Sequence, residues 1–304
     1  MFVRVARLTA IVVLLSYCAF SQAAPVAAPS AHPTVVFMTD FGHVDDSVPI
    51  CKGVMLGIEP ELRIVDLTHD VTPFRILDGA RFLAGITPYY PAGTVFVGVV
   101  DPGVGSTRKA IVARSSRGQY FVVPDNGLLT IVQDQDGIVA AYDIQNPAWM
   151  IGSALSSTFH GRDIFSPVGA HLARGEDPST VGPALDVSKL IRLAIQKATL
   201  APTGISATVI STDGPFGNLV TNVDRDFFSK LGYSLGDTVK LSIAGKPLQI
   251  PFVKTFSDVP IGSPLIFVDS RGHMALAINQ RSFVEKYEVQ VPATLEIQSK
   301  AQAR

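Results

Sequence analysis

The chain carries two hydrophobic rhythms, and the change between them falls near residue 195. Residues 34–38, "TVVFM", are a short apolar run of the kind that forms a buried strand. "DDSVPICKGVMLGIEP" follows with apolar positions at helical spacing. Asp45, Asp46 and Ser47 are good helix-start residues, and Pro60 marks the end. "LRIVDLTHD" predicts a second strand, "ILDGARFLAGI" a second helix and "GTVFVGVVDPGVG" a third strand. Such alternation argues for a parallel sheet covered by helices. "KAIVARSS" and "GQYFVVPDNG" read as a further hairpin, "GLLTIV" opens another helix, and "DIFSPVGAHLARG" is an amphipathic helix closing at Gly175. Beyond the change, "ISATVISTDGPFGNLVTNV", "TVKLSIAGKPLQIPFVKTF" and "PLIFVDSRGHMALAIN" are short alternating runs punctuated by Gly, Pro and Asp. That is the texture of a β-sandwich or barrel. The pattern predicts an α/β domain over 34–195, with a mainly parallel sheet flanked by helices. A smaller all-β domain, barrel- or sandwich-like, follows over 202–298. A cleft between two such domains is a natural ligand site.

The first 24 residues fit neither rhythm. Arg4 and Arg7 precede an apolar run from about Leu8 to Phe20, and small residues follow through Ala24. This predicts a secretory signal peptide over 1–24, joined by an alanine- and proline-rich linker over 25–33. The expected address is therefore the periplasm or the medium, with no membrane contact after cleavage. Hydrophobic residues make up 47% of the 304 and charged ones 17%, enough apolar material for a sizeable core. The formal net charge is −1, and no basic block is interleaved with aromatics, so nucleic acid is a poor partner. Removal of the signal takes away Cys18 and leaves Cys51 alone, so no internal disulfide is expected. The apolar helical setting of Cys51 predicts a packed, inert thiol.

In open α/β sheets ligands gather beyond the carboxyl ends of the strands. Asp40, Asp66 and Asp101 fall at such places. An acid there either caps the next helix or recognises a hydroxyl or amine. Asp40 in "TDFG" is the strongest of the three, because one carboxylate can accept both hydroxyls of a ribose. "VVDPGVGSTRKAI" adds a glycine turn and Arg108 after Asp101; a plain strand-to-turn junction would look the same. His160 in "STFHGRDIF" precedes Gly161, which permits close backbone approach. The other five histidines cluster with nothing in the sequence. No Cys/His or HExxH spacing suggests zinc, no GK[ST] ending supports a phosphate loop, and no GxSxG elbow appears. In the second domain one glycine-rich turn carries Asp213, Phe216 and Asn218, and another carries Ser270 and Arg271. Both are also ordinary hairpin-turn compositions. The Asn218 amide offers a donor and an acceptor to a base edge.

Taken in order, "FMTDFGHVDDSV", "HDVTPF", "VVDPGVGSTR", "PDNGLL", "STFHGRDIF", "DGPFGNLVTN" and "DSRG" resemble the adenosine-forming S-adenosylmethionine (SAM) hydrolases, which share a fold with the SAM-dependent fluorinase and chlorinase. The resemblance runs from about Val35 to Arg271 and beyond. It implies a homotrimer, with SAM held between the N-terminal domain of one subunit and the C-terminal domain of the next. SAM would be the substrate, with no cofactor and no metal. Asp40 would hold the ribose hydroxyls. Asp213 with Ser270 would take the methionine end, and Asn218 would read adenine. Phe256 in "KTFSD" would stack on the base, with Phe216 and Arg271 beside the ligand. Asp101, Arg108 and His160 would be the catalytic set that holds the attacking water. Gly161 stands where the fluorinase pattern has a halide-contacting serine, and Val104 where it has a threonine. Both departures favour water. The implied reaction is hydrolysis of SAM to adenosine and L-methionine by attack at the ribose 5′ carbon. Two alternatives stay open: a SAM-dependent halogenase, and a non-catalytic exported binder of adenosine.

Overall fold

The computed structural model describes residues 33–301. The signal peptide and all but the last linker residue lie outside the described residues. The first layer is a six-stranded sheet ordered β2-β1-β3-β5-β4-β6. Its strands are β1 (Thr34–Thr39), β2 (Arg63–Thr68), β3 (Val95–Val99), β4 (Ala110–Ser115), β5 (Tyr120–Pro124) and β6 (Ile138–Asp143). Successive side chains on a strand point to opposite faces, and this alternation divides the core. Val35, Phe37, Val95 and Val97 face one way. There they meet α1 (Ser47–Ile58) and α4 (Ser166–Ala173). Val36, Met38 and Phe96 face the other way, onto α2 (Ile76–Ile86) and α3 (Thr130–Gln135). The central strands β1 and β3 are almost wholly apolar because both of their faces are covered, whereas the edge strand β2 carries Arg63 and Asp66.

The sheet is mixed, so the mainly parallel expectation holds only in part. β1 pairs in parallel with β2 and β3, and β3 with β5, but β4 is antiparallel to both β5 and β6. The β4–β5 hairpin does form. Its second strand, not its first, joins β3, so β4 is pushed outward. β6, unforeseen in the sequence, then pairs against it.

α4 comes unusually close to β3. A Cβ at Gly169 would lie 2.4 Å from the Val97 Cγ2. Gly169→Ala is expected to overpack this contact and destabilise the fold by ~1–3 kcal/mol. A urea titration would show it as a lower midpoint with an unchanged slope.

Residues 190–198 lead to the second sheet and are pinned on the way: Ile191 N–H donates to Asp125 and Leu193 N–H to Thr130 Oγ1. That sheet contains eight strands: β7 (Thr199–Ala201), β8 (Gly204–Asp213), β9 (Asn218–Asp224), β10 (Thr238–Ile243), β11 (Lys246–Pro251), β12 (Pro264–Val268), β13 (His273–Ile278) and β14 (Ala293–Gln298). Two short helices, α5 (Arg225–Ser229) and α6 (Phe283–Tyr287), cover it. The order is β11-β10-β14-β8-β9-β13-β12, with β7 added beside β8. The edges curl together: Val253 N–H donates to the Ile266 carbonyl at 3.0 Å, which nearly closes the sheet into a barrel. Its own core includes Val209, Leu219, Leu241, Leu276 and Leu295. No helix among the described residues is long and apolar enough to cross a membrane.

Candidate active site

β1 is flanked by β2 on one side and β3 on the other. The helix that follows β1 covers one face and the helix that follows β2 covers the other. The chain therefore reverses its winding direction between β1 and β3, where open α/β sheets leave a crevice at the strand carboxyl ends. Asp40 leaves β1 and Asp101 follows β3, so both reach this crevice. A cavity of about 410 Å³ opens there, walled by Asp40, Phe41, Phe74, Asp101, His160 and Gly161 among others.

The turn after β3 carries Asp101 and returns Arg108 onto it. The Arg108 Nε donates to Asp101 Oδ1 at 2.9 Å and Oδ2 at 2.8 Å, and its Nη2 donates to Oδ2. Both side chains are nearly buried, at 9% and 4% exposure. The same Nη2 lies 2.8 Å from His160 Nδ1. Aspartate, arginine and histidine are thus brought together, 59 residues apart at the extremes of the set (Asp101 to His160). Two local features hold them. The Asn126 amide of "PDNGLL" donates to the Val100 carbonyl at 2.9 Å and braces the strand end. Gly105, at φ +76°, lets the turn close onto the 157 loop, where a Cβ would meet the Ser157 carbonyl at 2.5 Å. Only glycine adopts that conformation cheaply and leaves that space.

His160 opens a single π-helical turn, Gly161–Phe165, ahead of α4. Burial, and after it the neighbouring Arg108 charge, holds the His160 pKa below its ordinary value. The ring is therefore neutral at pH 7. An arginine has no acceptor, so its N–H donates to Nδ1, and the ring proton resides on Nε2. Gly161 is glycine for lack of space. A Cβ there would sit 2.9 Å from Phe41 Cζ and 3.0 Å from Cε2, with Cys51 Sγ at 3.5 Å. Cys51 is buried, and burial pushes its thiol up to about 11, in keeping with an inert packing role.

Phe74 was not singled out by the sequence. It stands 73% exposed over the cavity mouth, and its φ of 65° is rare for a bulky residue. Its N–H donates to Asp40 Oδ2 at 3.0 Å. Backbone strain of this kind concentrates at functional sites. Phenylalanine has no preference for positive φ, so nothing in "TPF" announces it. Ser47, read only as a helix start, also reaches the cavity wall.

The remaining candidates lie elsewhere. Asp66 does not line the cavity; it is engaged by Lys52 at 2.6 Å and His69 at 3.1 Å. Nor are the histidines isolated: the His43 and His69 rings are 5.6 Å apart. Among the described residues no group of His, Cys, Asp and Glu could hold a metal. Asp213, Phe216, Asn218 and Phe256 belong to the second domain and do not wall the 410 Å³ cavity of the same chain. Phe216 is 70% exposed and Phe256 38%, whereas Asn218 is buried. Ser270 and Arg271 line a larger, separate cavity between the domains, about 700 Å³, facing Arg81 of α2.

Two family models match the chain in sequence: the SAM hydroxide adenosyltransferase N-terminal domain over residues 35–182 and the C-terminal domain over 207–296. A relative from Salinispora arenicola (strain CNS-205), named (R)-S-adenosyl-L-methionine hydrolase, is 39% identical over 81% of this chain and 90% of its own length. A relative from Actinoplanes sp. (strain N902-109), named fluorinase, is 33% identical over 88% of this chain and 98% of its own. A crystal structure of an uncharacterized conserved protein from Thermotoga maritima superposes with a TM-score of 0.81 at 36% identity, covering 87% of this chain and 99% of that one. Matched across both domains, the chain belongs to the SAM hydroxide adenosyltransferase family.

Proposed function

We propose that this chain hydrolyses S-adenosyl-L-methionine to adenosine and L-methionine, by attack of water on the ribose 5′ carbon. The observation that carries the reading is the convergence of Asp101, Arg108 and His160 at the wall of a cavity that Asp40 also lines. The sulfonium is already an activated leaving group, so methionine departs as a neutral thioether without a general acid. What remains is to orient a water in line and take its proton. Orientation in well-positioned systems is worth roughly 7–11 kcal/mol.

The hydrogen bonds favour Asp101 as the proton acceptor. His160 has its one free lone pair on Nδ1, and Arg108 occupies it. The Asp101 carboxylate has about four acceptor sites, and Arg108 fills only part of them. Arg108 fixes the carboxylate, and neutral His160 fixes Arg108. Water loses one proton to Asp101, its oxygen forms the new C5′–O bond, and the C5′–S pair leaves with methionine. Protonation of His160 would put a proton on Nδ1 against the Arg108 N–H. Because burial lowers this pKa beneath 6.5, kcat/KM is expected to stay level from pH 8 to about 6.5 and fall below it. A pH–rate profile of the parent and of His160→Gln checks this, and an acid limb left unchanged by the substitution would reject the role given to His160.

Asp40 accepts the ribose hydroxyls, with the Phe74 N–H holding its other oxygen side. Asp213 and Ser270 take the methionine end and Asn218 reads adenine. Phe256 stacks on the base, and Phe216 and Arg271 flank the ligand. These second-domain residues reach the cavity from a neighbouring subunit of a homotrimer; the exposure of Phe216 and Phe256 supports such a contact. The apolar N-terminal run supports export. Gly161, closed over by Phe41, and Val104 at the cavity wall support water over halide as the nucleophile. No cofactor takes part.

Incubation of the protein with SAM, with and without fluoride or chloride, tests the reading by chromatography. Adenosine and methionine in equal amounts support it. A 5′-halo-adenosine would support the halogenase, and adenosine binding without conversion the non-catalytic binder.

A further inference from the structure

We infer that Thr39, His69 and Asp66 form a proton-ordered relay that fixes the Asp40 turn, making Thr39 and His69 positioning residues for nucleoside binding; the functional part of this rests on the reading above. Thr39 is the last residue of β1 and is fully buried, and His69 is 1% exposed. Thr39 Oγ1 lies 2.9 Å from His69 Nδ1, and His69 Nε2 lies 3.1 Å from Asp66 Oδ1. The other Asp66 oxygen accepts from Lys52 of α1 at 2.6 Å. At its far end the relay meets backbone: Phe41 N–H donates to Thr39 Oγ1 at 3.2 Å. A second tie runs in parallel, from Gly42 N–H to the His69 carbonyl at 2.8 Å. Asp40 lies between these anchored residues.

Every proton in the chain has one place to be. Ionised Asp66 only accepts, so the His69 proton is on Nε2. Nδ1 is then an acceptor, and Thr39 O–H donates to it. The Thr39 lone pairs are left for the Phe41 amide. Hydroxyl, imidazole and carboxylate in series resemble a nucleophilic triad, but Thr39 has no exposed surface and does not wall the cavity. The relay therefore ends on an amide and acts on geometry. The charged and titratable groups around His69 are Asp66, Lys52 and the imidazole of His43, which lies 3.2 Å from Asp70. Phe37 covers its other side, edge-on at 4.9 Å.

Thr39→Val deletes the hydroxyl at nearly constant volume. It is expected to raise KM for SAM and Kd for adenosine about tenfold, the scale of one lost buried hydrogen bond, while kcat changes less than about threefold. Thr39→Ser restores the hydroxyl and returns both constants to within about threefold of the parent. A role in folding alone would lower the melting temperature and leave KM and Kd unmoved. Nitrogen NMR of ¹⁵N-histidine-labelled protein reads the relay without any substrate, as a single Nε2–H tautomer of His69 that is disturbed in Thr39→Val. An Nδ1–H tautomer, unchanged Kd in Thr39→Val, or Thr39→Ser as damaged as Thr39→Val would each overturn the inference. A parent protein that neither converts SAM nor binds adenosine would remove the functional reading instead, and the tautomer would still decide whether the relay exists.

Discussion

Asp101→Asn is expected to lower kcat for SAM hydrolysis by about 10³-fold, the middle of the range for losing a positioned general base, while Kd for SAM stays within about threefold. Asparagine keeps the shape and one acceptor oxygen, so Arg108 retains a partner for its Nε or Nη2 donors. The change removes the negative charge and with it the group able to take a proton from water. His160 cannot substitute, because its Nδ1 lone pair is committed to Arg108. Single-turnover kinetics separates the two effects. A variant retaining more than a tenth of the parent rate would exclude Asp101 as the base. A loss appearing in Kd would make Asp101 a binding group instead.

Gly161→Ser carries the second large effect, and it touches both fold and chemistry. The added Cβ would start 2.9 Å from the Phe41 ring, and the ring is already held edge-on by Phe159 at 6.1 Å. Overpacking of this kind typically costs about 1–3 kcal/mol. Gly161 adjoins His160, so the strain also displaces the imidazole that fixes Arg108. We expect a lower melting temperature and at least a tenfold drop in kcat, since a displacement of about 1 Å in the groups that position a reaction can cost about 10²-fold. Phe41→Leu in the same chain should relieve most of the melting deficit by opening the space. If Gly161→Ser alone melts and turns over like the parent, the Phe41 ring does not control this position.

Much of the first sheet was legible because its strands and helices differ in period. "TVVFM" and "VFVGVV" could hardly be anything but buried strands between amphipathic helices. What the period cannot carry is which strand neighbours which. β4 and β5 read identically as the two arms of a hairpin, and their pairing with β3 is decided by tertiary packing. The ends of the catalytic set show the same divide. Asp101 and Arg108 share one turn, and their contact follows from that turn closing. His160 meets them only because α4 packs beside β3, and here the family resemblance supplied what spacing could not. Phe74 and the His69 relay are illegible in the sequence for opposite reasons. The first depends on a backbone conformation that its residue type does not favour. The second depends on a histidine contacting a threonine 30 positions earlier, across two neighbouring strands.

The most direct test of the central claim is the fate of the solvent oxygen. Hydrolysis of SAM in H₂¹⁸O should place one ¹⁸O on the 5′ carbon of adenosine and none in methionine, as read by mass spectrometry of both products. Unlabelled adenosine, or label in methionine, would contradict attack by water at that carbon.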